Sequence, residues 1–258
     1  MSGGWRLVFG VLLAALPSCC KIPLYRALWG YRIGPDVHIG FSLFCGLGRC
    51  AIGAGVRIGH LNVFLDVADL AIGAHSRIGF LNLFRGGAKL HLGQYCTVLR
   101  RNVMNSIVQP EAVNPTAPEL TLGDGAVVTT GHWLDFTDKL EVGAHSIIGG
   151  RHSSLWTHNR ARTRPTRIGS YCYLGSEVRV APGAHLPDLS LVALGAVLLH
   201  RSEAPCSLLA GNPARVVRPL GPRDLPLLTR KTRHDIPDEL AARWLPADLL
   251  AMAPLDSI

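Results

Sequence analysis

Charge is sparse in this chain. Only 17% of its 258 residues are charged and 7% are aromatic, against 48% hydrophobic. That balance excludes an extended, self-repelling chain and fits a globular protein, soluble or attached at a membrane surface. Acidic residues are the scarcer sign, 18 against 26 Lys and Arg, for a net charge of +8. The excess fits an ordinary basic surface or an anionic partner, such as a phosphate, an acidic sugar or an anionic lipid. No apolar run reaches the ~20 residues that a membrane-spanning helix needs. The apolar stretch at 5–16 is too short, and Pro17-Ser18-Cys19-Cys20 after it is a poor context for signal cleavage. The expectation is a helix packed on the body of the protein. The alternative is one lying on a membrane surface, with Lys21, Arg26 and Arg32 nearby. Cysteines stand at 19, 20, 45, 50, 96, 172 and 206, an odd number with no paired CxxC units. Zinc-ribbon chemistry is therefore excluded, and reduced, buried thiols of a cytoplasmic protein are expected.

What the chain has instead is a repeat. Residues 51–70 read AIGAGVRIGHLNVFLDVADL and 71–90 read AIGAHSRIGFLNLFRGGAKL. The pattern continues from 91, is interrupted at 105–119, and resumes at 121–140 and 141–160. Inside each row, large apolar residues recur every six places: Ile52, Ile58, Phe64 and Leu70, then Ile72, Ile78, Phe84 and Leu90. A small residue often stands four places after the first, as at Ser76, Cys96, Ala126 and Ser146. A step of six fits neither helix nor heptad. It suits short strands that each point one large residue inward, three to a coil, with coils stacked over one core. The two residues beyond eighteen are expected as a bulge at one corner. Asn62, Asn82 and Asn102 share a column and are expected to form a ladder. Pro110, Pro115 and Pro118 exclude a central strand at 105–119, which is expected as a loop leaving the coil.

The hexads run on through Ile168, Leu174 and Val180, then Leu186, Val192 and Leu198, and are followed by Ala210-Gly211-Asn212-Pro213-Ala214-Arg215-Val216-Val217-Arg218. Together they resemble the hexapeptide-repeat acyl-CoA-dependent acetyltransferases of the sugar and xenobiotic O-acetyltransferase type. The resemblance implies an all-β solenoid, a left-handed parallel β-helix of roughly eight coils. It would comprise an N-terminal helical segment (1–32), the β-helix (33–203) and a C-terminal part (204–258), with a helical cap over 236–252. It also implies acetyl-CoA as donor, no metal, a saccharide or other small acceptor, no nucleic acid, and a homotrimer.

One row breaks the rule. In 141–160, Val142 and Ile148 keep the inward places, but the next two become Ser154 and Arg160. The chain is therefore expected to leave the β-helix near Gly149-Gly150 and return at Ile168. Family members carry their general base, a His, on such a loop, and the resemblance transfers that role to His158 of Thr157-His158. Imidazole titrates near neutrality and can take the acceptor's proton. His152 is the rival, expected to continue the column of Asn102 and His132. Asp138, one row before His158, and Asp135 are candidates to orient the ring. Trp133, Trp156 and Asn159 are candidates for the acceptor pocket. The resemblance places the CoA site along Ser176, Ala193, Leu194, Gly195, His200 and Arg201, with Arg215 and Arg218 toward its phosphates.

Three functional classes remain. The first is O-acetyl transfer to a sugar hydroxyl, in the cytoplasm or at the inner face of the membrane. The second is a metal-dependent hexapeptide enzyme such as a carbonic anhydrase, for which no compact His pattern is present. The third is a non-catalytic scaffold.

Overall fold

The computed structural model describes residues 3–107 and 116–228. Their strands form three sheets, the three faces of a solenoid, with eight, ten and eight strands, all parallel but for the last strand of the second. Eight coils of the left-handed β-helix type result. Each face stacks one inward column. Ile33, Ile52, Ile72, Leu92, Leu122, Val142, Ile168 and Leu186 line the first face. Ile39 to Val192 line the second, and Phe44 to Leu198 the third. These side chains are buried. In the first coils of the third face the column is aromatic: the rings of Phe44 and Phe64 stack at 4.6 Å, and those of Phe64 and Phe84 at 4.5 Å.

The two extra residues of each twenty-residue row form no corner bulge. They lengthen the strand on the first face to four residues, as in Asp69–Ile72 and Lys89–Leu92. Leu70 and Ile72 both then point into the core, two places apart as strand geometry requires. The last coils drop this extension: Ile168 pairs with Leu186, a step of eighteen, through short strands. Leu90 pairs with Leu120 across the interruption, so a loop does leave the coil there. Residues 108–115 of that loop lie outside the described residues, as does the expected cap at 236–252.

The break at 141–160 corrects the expectation of an unfilled third face. A β-bulge at Gly149-Gly150 adds one residue, and the register shifts between Val128 and Thr130 on the facing strand. Leu155, not Ser154, then pairs with Leu134 and fills the core. Gly150 has φ 62°, and a Cβ there would lie 1.7 Å from Ser176 Oγ, so only glycine fits. The excursion begins after Leu155 and ends at Thr166, later than the row pattern suggests.

The Asn column forms the expected ladder. Asn82 Nδ2 donates to Asn62 Oδ1 at 2.9 Å and Asn102 Nδ2 to Asn82 Oδ1 at 3.1 Å. His132 takes the next step, its N–H donating to Asn102 Oδ1 at 2.9 Å. The bulge then puts Ser153, not His152, on the following rung: Ser153 N–H donates to His132 Nδ1 at 3.1 Å. His152 is exposed on the corner. His145 is buried and stacks on Tyr171 at 4.9 Å.

Two helices close the N-terminal end, α1 (Gly3–Ala15) and α2 (Ser18–Trp29). Tyr25 lies over Phe44 with centroids 5.6 Å apart. The buried Lys21 ammonium donates to Ala14 O at 2.7 Å and Gly40 O at 2.9 Å, satisfying a carbonyl at the end of α1. Gly10, Leu13 and Ala14 of α1 face inward, while Leu7, Val8, Val11 and Leu12 are exposed. At the other end, Ser207–Ala210 extends the second face and pairs antiparallel with Arg215–Pro219.

His132 carries a pH dependence. Its Nδ1 accepts from Ser153, so its Nε2 is the N–H and meets Thr129 Oγ1 at 2.8 Å. Burial, reinforced by the nearby His152, lowers its pKa from 6.5 to about 4. The unfolded chain takes up the proton near 6.5 and the folded chain only near 4. Stability is therefore complete above that window and falls as pH drops through it. His132→Asn should reduce this slope in thermal melts across the window; an unchanged slope would exclude His132 as its source.

Candidate active site

The excursion folds into a hairpin held by its own backbone. His158 bridges Thr163, Asn159 N donates to Arg162 O at 2.9 Å, and Arg164 N donates to Thr157 O at 2.8 Å. Asn159 Oδ1 accepts the N–H groups of Ala161 and Arg162 at 2.9 and 3.1 Å, a turn-forming use of an Asn side chain. Asn159 therefore shapes the hairpin tip.

The hairpin lays Thr157 and His158 over Asp135, which stands on the strand Trp133–Asp135 of the third face. His158 Nδ1 lies 2.8 Å from Asp135 Oδ2. The same oxygen accepts Thr157 N–H at 2.9 Å and Thr157 Oγ1–H at 2.7 Å. Thr137 Oγ1 donates to Asp135 Oδ1 at 2.7 Å. Asp135, Thr137 and Thr157 are buried. A carboxylate only accepts, so the ring's Nδ1 carries the proton and Nε2 presents a lone pair. Among the described residues no hydrogen-bond partner meets that Nε2. A partly exposed His with its tautomer fixed by a buried carboxylate can remove a proton from a bound hydroxyl or amine.

Asp138 has another task. Its Oδ1 accepts the N–H groups of Lys139 at 2.8 Å and Ala117 at 3.3 Å, while its own N–H donates to Thr157 Oγ1 at 3.0 Å. It does not contact His158. Counting rows of twenty singles out Asp138, but the excursion returns His158 along the third face to Asp135. Thr137 is the residue the sequence reading missed. Its only signal is the Asp135-Phe136-Thr137 spacing, which brings two polar side chains together at the end of a strand.

Trp133 and Trp156 stand together on the outer surface. Their rings stack at 5.9 Å, and Trp156 meets the His158 ring edge-on at 6.2 Å. Both are partly exposed, so they form an aromatic wall beside the imidazole.

The other sequence candidates divide. Ser176, Ala193, Leu194 and Gly195 lie on the corner between the second and third faces, where Gly195 N donates to Ser176 O at 2.9 Å. The His158 hairpin is on the next corner, so one chain does not bring this group to it. His200, Arg201 and Arg215 line a shallow cleft with Leu199, Ser202 and Val216. The Leu155–Val180–Leu198 column connects that cleft to the hairpin across two coils, about 10 Å along the solenoid. Arg218 is committed elsewhere: its guanidinium holds Asp224 through bonds of 2.7 and 2.8 Å. That ion pair, with Gly221 N–H, lowers the Asp224 carboxyl to about 2. Arg218 thus fastens the C-terminal hairpin to the turn after it. Among the described residues no group of three His, Cys, Asp or Glu is placed to hold a metal ion.

This solenoid has a relative by sequence. Over 123 residues the chain is 34% identical to WcaF of Escherichia coli strain K12, a protein assigned by name to acetyl transfer in colanic acid biosynthesis. The same figures hold for its Shigella flexneri namesake. The shared feature that the structure shows is the fold, a parallel β-solenoid of eight coils of the left-handed β-helix type. The WcaF match spans 44% of this chain and 66% of the relative, just short of two thirds of its length. No family model matches the chain. Among solved structures, the polySia-specific acetyltransferase NeuO gives a TM-score of 0.47 at 14% identity, covering 73% of this chain and 82% of that one. The UDP-N-acetylglucosamine O-acyltransferase LpxA of Moraxella catarrhalis gives 0.49 at 14%, covering 73% and 72%.

Proposed function

We propose that this hexapeptide-repeat protein transfers an acetyl group from acetyl-CoA to a hydroxyl of a saccharide or related small acceptor. The observation that carries the reading is the 2.8 Å contact between His158 Nδ1 and Asp135, which leaves Nε2 as a free base beside an aromatic wall. The similarity to a protein named for acetyl transfer supports it. His158 Nε2 takes the acceptor's proton as the acceptor oxygen bonds to the thioester carbonyl carbon. The carbon–sulfur bond breaks, and the imidazolium returns its proton to the departing thiolate. The products are an ester and free CoA, and the chemistry calls on no metal. Asp135 keeps the ring in its Nδ1–H tautomer and offsets the charge it gains. Trp133 and Trp156 present apolar faces suited to the C–H face of a sugar ring.

His158→Ala should slow transfer by about 10²–10⁴-fold while CoA binding persists. Asp135→Asn should give an intermediate loss. Asp138→Asn, which removes no contact to the ring, should give less. Wild-type turnover by a folded His158→Ala protein would exclude the assignment.

The cleft of His200, Arg201 and Arg215 suits the phosphates of CoA, since guanidinium pairs with phosphate oxygens and the exposed Arg215 side chain meets no acid among the described residues. Arg218, held by Asp224, is assigned to structure. Arg215→Ala should weaken CoA binding about tenfold, equivalent to one charge-assisted bond, and leave a short pantetheine thioester unaffected. Equal CoA affinity would move the site elsewhere.

The Ser176–Gly195 corner, remote from His158 in its own chain, fits a site completed by a neighbouring copy, and a homotrimer is the assembly that reading requires. The protein would work in the cytoplasm, where acyl-CoA is made. The apolar outer face of α1 would rest on the inner membrane surface, although no helix among the described residues is long and apolar enough to cross a membrane. Solution mass and vesicle flotation test these two points. A monomer that remains fully active would contradict the first, and absence from the vesicle fraction the second.

A further inference from the structure

The hairpin that presents His158 is basic throughout. From Trp156 to Pro165 it carries Arg160, Arg162 and Arg164 and no acidic residue. Arg160 and Arg162 lie in the tip between the bridged residues His158 and Thr163. All three arginines are exposed. Three other surface arginines have carboxylate partners: Arg49 meets Asp69 at 2.9 Å, Arg57 meets Asp36 at 3.0 Å, and Arg218 meets Asp224 at 2.7 Å. Among the described residues no carboxylate meets Arg160, Arg162 or Arg164. The nearby acids are already occupied. Asp135 and Asp138 are buried in hydrogen bonds, and Glu141 is paired with Lys139.

Like charges packed this densely on a short hairpin repel one another, and the tip is tied by hydrogen bonds. Asn159 and two cross-strand backbone bonds hold its backbone, so the Cα positions of the arginines stay close together. Three exposed arginines thus share one short hairpin with His158 and Trp156. Guanidinium binds carboxylate through paired, parallel hydrogen bonds, and an unpaired cluster of this kind attracts a polyanion at long range.

We infer that the acceptor is an anionic saccharide, one bearing carboxylate groups, and that Arg160 and Arg162 are its specificity-determining residues. The inference rests on the reading of His158 as base in a saccharide O-acetyltransferase and names the acceptor class of that site. A neutral stretch of the acceptor would lie on the two Trp rings with its hydroxyl at His158 Nε2. A neighbouring acidic sugar would meet the arginines. Arg164 contributes field rather than contact, because its aliphatic stem packs against Gly183: a Cβ at Gly183 would lie 2.9 Å from Arg164 Cδ.

The experiment uses the full chain with two size-matched probes, an oligoglucuronate and a neutral glucose oligosaccharide. Binding is measured by calorimetry at low and high salt, and acetyl transfer is measured in parallel. The oligoglucuronate should bind about tenfold more tightly than the neutral probe, and salt should remove much of that preference. The double variant Arg160→Gln, Arg162→Gln should lose the preference, with KM raised for the anionic acceptor and kcat nearly unchanged. His158→Ala should keep the binding preference while losing transfer. Equal binding of the two probes, binding of neither, or a preference that survives the double variant would overturn the inference. A salt-sensitive preference that disappears in the double variant, with no transfer to either probe, would uphold the anionic site and sink the acetyltransferase reading instead.

Discussion

Hydrogen bonding between successive coils is the constraint on which everything else rests. Each strand donates to and accepts from the strand one coil away, so residues in a column are held about 4.8 Å apart whatever their side chains are. The core follows from this, because like residues stack on like: isoleucine on isoleucine at 39, 58 and 78, phenylalanine on phenylalanine at 44, 64 and 84. The Asn ladder follows for the same reason. A buried amide needs several partners, and a column of identical amides one coil apart supplies them. The site also follows. Once the scaffold fixes Asp135, a short hairpin from the next coil needs only to bring Thr157 and His158 down onto it.

Much of this was legible in the sequence because a solenoid repeats its physics. The inward columns, the ladder and the existence of an excursion before Ile168 can all be read from positions six and twenty apart. The errors came where the repeat count changes. Two additional residues per row look like a corner bulge, yet they simply extend the strand on the first face, since Leu70 and Ile72 both find core. The one true bulge, at Gly149-Gly150, shifts every later position of its coil by one. A fixed count therefore puts Ser154 where Leu155 belongs and His152 where Ser153 belongs. The same counting favours Asp138 over Asp135. Arg218 is a different case: its partner, Asp224, lies beyond the repeat, and no periodicity announces it.

The catalytic assignment and the solenoid depend on different parts of the molecule. Apolar columns and the helical lid at the N-terminal end maintain the tube. The Asp135 carboxylate, with donors on both oxygens, maintains the imidazole. Thr157 serves both, accepting Asp138 N–H from the scaffold and donating to Asp135. Chemistry can thus vary on the hairpin while the coils stay the same. The exposed arginines of that hairpin are an instance, on the same hairpin as His158 and outside the core.

The central claim is that the Nε2 lone pair of His158 takes the acceptor's proton. The most direct measurement is a titration of the His158 imidazole by NMR, overlaid on the pH dependence of kcat/KM for acetyl transfer. The account predicts that the resonance reports the Nδ1–H tautomer in the neutral form, and that kcat/KM falls toward low pH with the same midpoint as the ring's protonation. A kcat/KM that stays level while His158 passes from neutral to protonated would contradict it.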